Sequence, residues 1–126
     1  MRPSGLVHEL GKTLPKGAVI EPQDTHYETL RKVWNNMIDR RPAVIVQPHD
    51  AKQVVQVVKI AARGDLPLAV RCGGHSFPGF STCDEGIVLD LSRLNHVSAD
   101  QSSGLALVGG GALLGDLDMA SSQFGM

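Results

Sequence analysis

Apolar positions along the chain change their spacing several times, and each change predicts an element. Tyr27, Leu30, Trp34, Met37 and Ile38 recur at intervals of three and four, one face of a helix over about 26–38. Thr25-x-x-Glu28 ahead of them spells a capping box, and Arg41-Pro42 ends the segment. Ala43-Val44-Ile45-Val46 is an unbroken apolar run and reads as a short buried strand stopped by Pro48. Asp50 then offers an N-cap for a helix over about 51–63. Val54, Val58 and Ala61 share one face of it, and Gly64 stands at the C′ place. The valines make a strand over 53–58 a rival, because β-branching lowers helix propensity, but length and caps favour the helix. Pro67-Leu68-Ala69-Val70-Arg71 and Ile87-Val88-Leu89-Asp90-Leu91 predict two further strands. A short strand near Val97, a turn over 100–104 and a strand over Leu105-Ala106-Leu107-Val108 follow. Leu113, Leu117, Ala120 and Phe124 step by four, three and four, which predicts an amphipathic helix.

Helix, strand, helix, strand in that order predicts an α/β (α+β) fold in which a crossover brings parallel strands together. Residues 1–17 are rich in Gly, Pro and Lys and show no period. They predict a flexible N-terminal arm, drawn here to residue 23, ahead of a folded unit over 24–126. There is no internal repeat.

A length of 126 residues allows one domain with a core of its own. Twelve Lys and Arg against thirteen Asp and Glu leave a net charge of −1, which argues against a nucleic-acid or acidic-membrane partner. With one Trp, one Tyr and three Phe there is no aromatic platform for single strands. No apolar run approaches the ~18 residues of a membrane helix. The first ten residues lack the apolar block of a signal peptide, so a cytoplasmic location is expected. Cys72 and Cys83 are too few for a disulfide framework and are expected as free thiols.

Glycine changes the picture. Nine of the fourteen glycines fall between Gly73 and Gly115, the region in which close backbone approach is expected. The strand ending at Arg71 runs into Cys72-Gly73-Gly74-His75-Ser76. Paired glycines remove the Cβ atoms that would block a ligand, and their amides can converge on an anion such as a diphosphate. Arg71 and Ser76 could add charge and a hydroxyl. The His75 ring nitrogen can ligate a metal or act as a nucleophile. Taken alone, Gly-Gly-His is more simply a tight turn carrying a solvent-facing histidine. A zinc site on Cys72, His75 and Cys83 falls one ligand short of the usual four unless Asp84 or His96 joins, and no metal is assigned. Gly109-Gly110-Gly111 precedes a helix but is not a dinucleotide fingerprint, because Leu114 stands where the last glycine should be. A strand-to-helix turn is the simpler role. Asp116 and Asp118, two apart, read as a solvated helix face. His8, His26, His49 and His96 read as surface residues, and the Tyr27, Trp34 and Met37 stripe as core.

Val70-Arg71-Cys72-Gly73-Gly74-His75-Ser76, Gly79 and Ser81-Thr82-Cys83-Asp84-Glu85-Gly86-Ile87-Val88-Leu89-Asp90-Leu91 together resemble the FAD-binding segment of the vanillyl-alcohol oxidase and p-cresol methylhydroxylase (PCMH) superfamily. The likeness is greatest to its berberine-bridge-enzyme and hydroxynicotine-oxidase branch. Arg41 to Pro48, Gly109 to Asp118, Tyr27 and Arg31 to Asn35 extend it over roughly 24–126. The resemblance implies the N-terminal part of a PCMH-type FAD-binding domain, with a small, mostly parallel sheet flanked by helices and then strands of a second small sheet. It implies FAD as cofactor, held by Arg71, Cys72, Gly73, Gly74, His75, Ser76 and Gly79. His75 would stand where this branch bonds the 8α-methyl carbon of the flavin. Family members pass a hydride from a small-molecule substrate to flavin N5. They are several times longer than this chain, so the substrate domain would lie past Met126 and no catalytic residue is assigned. The isolated chain is then expected to be inactive. The alternative is a truncated, non-catalytic module with weak or no flavin binding that self-associates through exposed apolar edges.

Overall fold

The computed structural model describes residues 3–126. In chain order it holds helix α1 (Pro3–Thr13), strand β1 (Val19–Ile20), helix α2 (Tyr27–Leu30), strand β2 (Val44–Val46), helix α3 (Ala51–Gly64), strands β3 (Leu68–Arg71) and β4 (Ile87–Asp90), a 3-10 turn at Leu91–Arg93, strands β5 (Val97–Asp100) and β6 (Leu105–Val108), and helix α4 (Leu114–Ser122). Four strands form one sheet in the order β1-β2-β4-β3, and β5 and β6 pair as a separate antiparallel ribbon. β2 and β3 both run parallel to β4, and β1 pairs antiparallel with β2. The fold is α/β with a small, mostly parallel sheet, as the strand and helix order predicts, followed by a second small sheet, as the family resemblance implies.

The sheet is buried on both faces, which is why its strands read as unbroken apolar runs rather than alternating ones. Successive side chains point to opposite faces. Val44, Val46, Ile87 and Leu89 meet Leu6, Leu10 and Leu14 of the N-terminal segment and Val57, Ile60 and Ala61 of α3. Ile45, Val88 and Ala69 face the other way, against Ile20 and Tyr27. The Tyr27 hydroxyl donates to the Pro42 carbonyl at 2.6 Å and so fastens α2 to the approach to β2.

α3 begins where predicted. The Asp50 carboxylate accepts the Gln53 amide at 2.8 Å, and the Gln53 side chain in turn accepts the His49 amide at 2.7 Å. The left-handed residue at its end is Asp65 (φ 49°), not Gly64, which is still helical. Its inner face carries Val57, Ile60 and Ala61, while Val58 is exposed.

Several expectations need correction. The segment read as a flexible arm over 1–23 is, from Pro3, a helix and a strand built into the core. Leu6, Leu10 and Leu14 recur at four-residue steps and supply one wall of it; Met1 and Arg2 lie outside the described residues. The helix expected over 26–38 stops at Leu30. Arg71 draws the carbonyls of Leu30 and Lys32 away from a helical ladder, and Arg31 turns to Glu28, Asp39 and the Arg40 carbonyl. Trp34 and Met37 are therefore exposed rather than core, at 63% and 89%. The Thr25 capping box does not form: the cap is His26, and Glu28 pairs with Arg31 and Arg41 instead. Finally, α4 buries none of its residues, and Leu113 and Phe124 are exposed. Among the described residues no helix is long and apolar enough to cross a membrane.

Leu10 is fully buried, so Leu10→Ala is expected to destabilise the chain by about 2–5 kcal/mol, measured as a lower urea midpoint. A variant as stable as the wild type would return residues 3–14 to the status of an arm.

Candidate functional site

Each of the three parallel strands is an apolar run closed by a polar residue, and the register sets those residues side by side. Val46 pairs with Leu89 and Arg71 with Asp90, so Gln47, Asp90 and Arg71 form a row at the carboxyl ends of β2, β4 and β3. That end of an open parallel sheet is where ligands collect. The Asp90 carboxylate accepts Arg71 Nη2 at 2.7 Å, Gln47 Nε2 at 2.9 Å and the Ser92 amide at 3.0 Å. The ion pair is buried on both sides. Burial by itself would raise the Asp90 carboxyl. The Gln47 and Arg71 hydrogen bonds, the Arg71 charge and the Ser92 amide outweigh it and hold the carboxyl below the usual range.

Arg71 reaches further. Its Nη1 donates to the Leu30 and Lys32 carbonyls, which pins the stretch after α2 beside the glycine bend. Two more bonds close the seam: the Trp34 amide donates to the Gly74 carbonyl at 3.0 Å, and Asn35 Nδ2 donates to the Phe77 carbonyl at 2.8 Å. Gly74 is buried against Val33 with φ +72°, a conformation that favours glycine. Beyond it, Ser76 closes a turn, its carbonyl accepting the Gly79 amide at 3.0 Å and its hydroxyl the Phe80 amide at 3.1 Å.

Among the described residues, the five consecutive amides of Gly73, Gly74, His75, Ser76 and Phe77 have no protein acceptor. The hydroxyls of Ser81 and Thr82, in the same loop, are buried without a partner. Two open hollows flank the bend. One, of about 240 Å³, lies against Lys32, Gln47, Arg71, Gly73, Gly74 and Asp90. The other, of about 420 Å³, lies against Cys72, Gly73, His75, Asn95, Leu113 and Asp116. His75 is exposed, and its ring lies over Gly73, where a Cβ would come within 2.9 Å of it. A row of unmet donors on a bend that opens with two glycines and is flanked by hollows is suited to the negatively charged middle of a dinucleotide.

The candidate residues thus divide. Gly73, Gly74, His75 and Ser76 form one continuous bend, and Cys72 leads into it with its exposed thiol 3.5 Å from the Ala112 carbonyl. The Arg71 guanidinium does not face a ligand as an open charge, because it is committed to Asp90 and two carbonyls. Gly79 is buried, and a Cβ there would come within 2.9 Å of Ile38, so its glycine serves packing. Both cysteines are free thiols. Among the described residues no three His, Cys, Asp or Glu side chains gather as a metal set. His8, His26, His49 and His96 are exposed, as expected. Gln47 and Asp90 were not singled out by their chemistry; the signal was the common ending of the three apolar runs, Val46-Gln47, Val70-Arg71 and Leu89-Asp90. The Gly109-Gly110-Gly111 turn is dictated by contact with backbone: a Cβ at Gly109 would lie 2.1 Å from the Leu94 carbonyl oxygen, and one at Gly111 would lie 1.6 Å from that of Leu91.

Residues 42–126 match the model of a family described as an FAD binding domain. The chain belongs to this FAD-binding family. It is 35% identical over 111 residues to (R)-6-hydroxynicotine oxidase of Paenarthrobacter nicotinovorans, a match spanning 88% of this chain and 24% of the relative. The crystal structure of 6-hydroxy-D-nicotine oxidase from Arthrobacter nicotinovorans superposes with a TM-score of 0.84 at 34% identity, over 90% of this chain and 25% of that one. The berberine-bridge-enzyme-like protein 1 of Physcomitrella patens superposes with a TM-score of 0.85 at 29% identity, over 94% and 26%. The likeness to PCMH-type flavoproteins of the hydroxynicotine-oxidase and berberine-bridge branch therefore holds in sequence and in fold. The FAD-binding chain spans about a quarter of the length of the curated relatives it matches.

Asp90 supplies a pH test. Its folded carboxyl titrates below the ordinary value of ~3.9, so its contribution to stability is complete above that value and is lost as pH falls through the folded value. Asp90→Asn leaves Arg71 buried without its counter-charge and is expected to cost about 3–5 kcal/mol at pH 7. It should also flatten the acid limb of a plot of urea midpoint against pH between 7 and 3; an unchanged acid limb would remove Asp90 as the anchor.

Proposed function

We propose that the bend from Cys72 to Ser76 holds the diphosphate of FAD through its backbone amides and that His75 carries the flavin covalently, within a flavin-dependent oxidoreductase. The observation that carries this reading is the run of unmet amides from Gly73 to Phe77 beside the exposed imidazole. The family model and the oxidases among the relatives support it. Each part of the chain has a definite task. Gly73 leaves room for the His75 ring, and Gly74 supplies the positive φ and the close approach to Val33 that shape the bend. The Arg71–Asp90 pair fixes the start of the bend, and Ser76 fixes its end. The amides supply oriented dipoles that need no counter-ion and little reorganisation.

His75 supplies the nucleophile. It would offer an imidazole nitrogen to the 8α-methyl carbon, with the ring proton and one methyl hydrogen leaving and the flavin, reoxidised by dioxygen, as the two-electron acceptor. The flavin, once bound, supplies two-electron redox chemistry towards a small-molecule substrate.

The test is to refold or purify the chain with FAD, denature it, and follow absorbance near the visible flavin band on the separated polypeptide. Colour that stays with the chain and is lost in His75→Ala, with reversible FAD binding retained by that variant, is the expected result. Colour that persists without His75 would move the attachment elsewhere, and no FAD binding at all would overturn the reading.

A further inference from the structure

Trp34 is the chain's one tryptophan, and it is 63% exposed. Its backbone is nonetheless held firmly. Val33 before it is buried against Gly74, its own amide is bonded to the Gly74 carbonyl, and Asn35 after it is bonded to the Phe77 carbonyl. These contacts aim an exposed indole at the outer side of the glycine bend. There it stands beside His75, with ring centroids 6.1 Å apart and planes tilted by 34°. A stretch that would otherwise continue α2 is spent on placing this ring.

An imidazole next to two glycines has little to lean on. Gly73 and Gly74 offer no side chains, and the cleft side is open towards Leu113 and Asp116. Holding a nucleophile within a narrow range of orientations is a large part of what a protein contributes to a covalent step. Glycines on one side and a fixed indole on the other would limit the rotamers open to His75, at the modest strength of an aromatic pair.

We propose that Trp34 is a positioning residue for His75: the indole holds the imidazole in the orientation from which it is presented to the flavin. This rests on the reading of His75 as the flavin's attachment point, and the experiment separates the two.

The first readout needs no cofactor. In the FAD-free chain, the His75 ring-proton resonances, identified by their loss in His75→Gln, feel the indole ring current. They are expected to move towards solvent-exposed positions in Trp34→Ala, and diethyl pyrocarbonate is expected to modify His75 severalfold faster. The second readout is the rate of flavin retention at saturating FAD. Trp34→Ala is expected to slow it about tenfold and Trp34→Phe to restore most of it. Reversible FAD affinity, measured in a His75→Ala background, is expected to stay within about twofold when Trp34 is also replaced. Unchanged His75 resonances and modification rate in Trp34→Ala would overturn the pairing. Equal slowing by Ala and Phe, or loss of reversible affinity, would reduce Trp34 to a structural residue and overturn positioning. If the wild type retains no flavin, the attachment reading fails, and the cofactor-free readouts alone decide whether Trp34 holds His75.

Discussion

One buried carboxylate organises this molecule. Asp90 takes hydrogen bonds from the strand on either side of it and from the turn that follows, at the level where the parallel strands end. A lone charge at that depth would be costly, so its partners are obligatory. Through Arg71 the constraint extends beyond the sheet. The guanidinium that neutralises Asp90 also gathers the carbonyls after α2, and these bring Trp34 and Asn35 onto the glycine bend. The bend is therefore shaped from below by a salt bridge and from the side by a stretch of backbone that has left its helix.

The central sheet was legible because its signals are local and redundant. Apolar runs at Val44, Leu68 and Ile87, the Asp50 cap and the turn at 100–104 each point to the element that forms. The glycine bend was legible because two adjacent glycines after a buried strand seldom serve anything but a turn or a ligand. The failures share one physical cause, which is that long-range contacts override local period. Tyr27 to Ile38 has a helical spacing, but Arg71, forty-one residues from Leu30, competes for the carbonyls a helix would use. Leu6, Leu10 and Leu14 carry a period of four that the surrounding Gly, Pro and Lys disguise, and only the sheet's second face gives them something to cover. Arg71 was assigned to the ligand by its charge, whereas its counter-charge lay at the end of a strand not yet placed beside it.

The division of labour in the site is notable for how little of it is side-chain chemistry. The unmet donors of the bend belong to the main chain, and the Arg71 charge beneath them is committed to Asp90. Such a surface is tolerant of substitution wherever Cβ atoms point away, which suits Cys72, whose side chain lies outside the row of amides. His75 and the indole beside it are the one aromatic pair of the bend among the described residues.

The glycine triplet at 109–111 follows β6 and packs against the stretch between β4 and β5. Gly109 and Gly111 close on the carbonyl oxygens of Leu94, His96 and Leu91, while Gly110 meets the Leu91 side chain. At 109 and 111 the seam is thus intolerant of any added side chain, whatever residue stands opposite. Drift at positions 94 and 96 would leave those backbone contacts in place, while a single added methyl at 111 would collide with the Leu91 carbonyl and shift the turn that delivers Leu113 to the hollow it shares with His75.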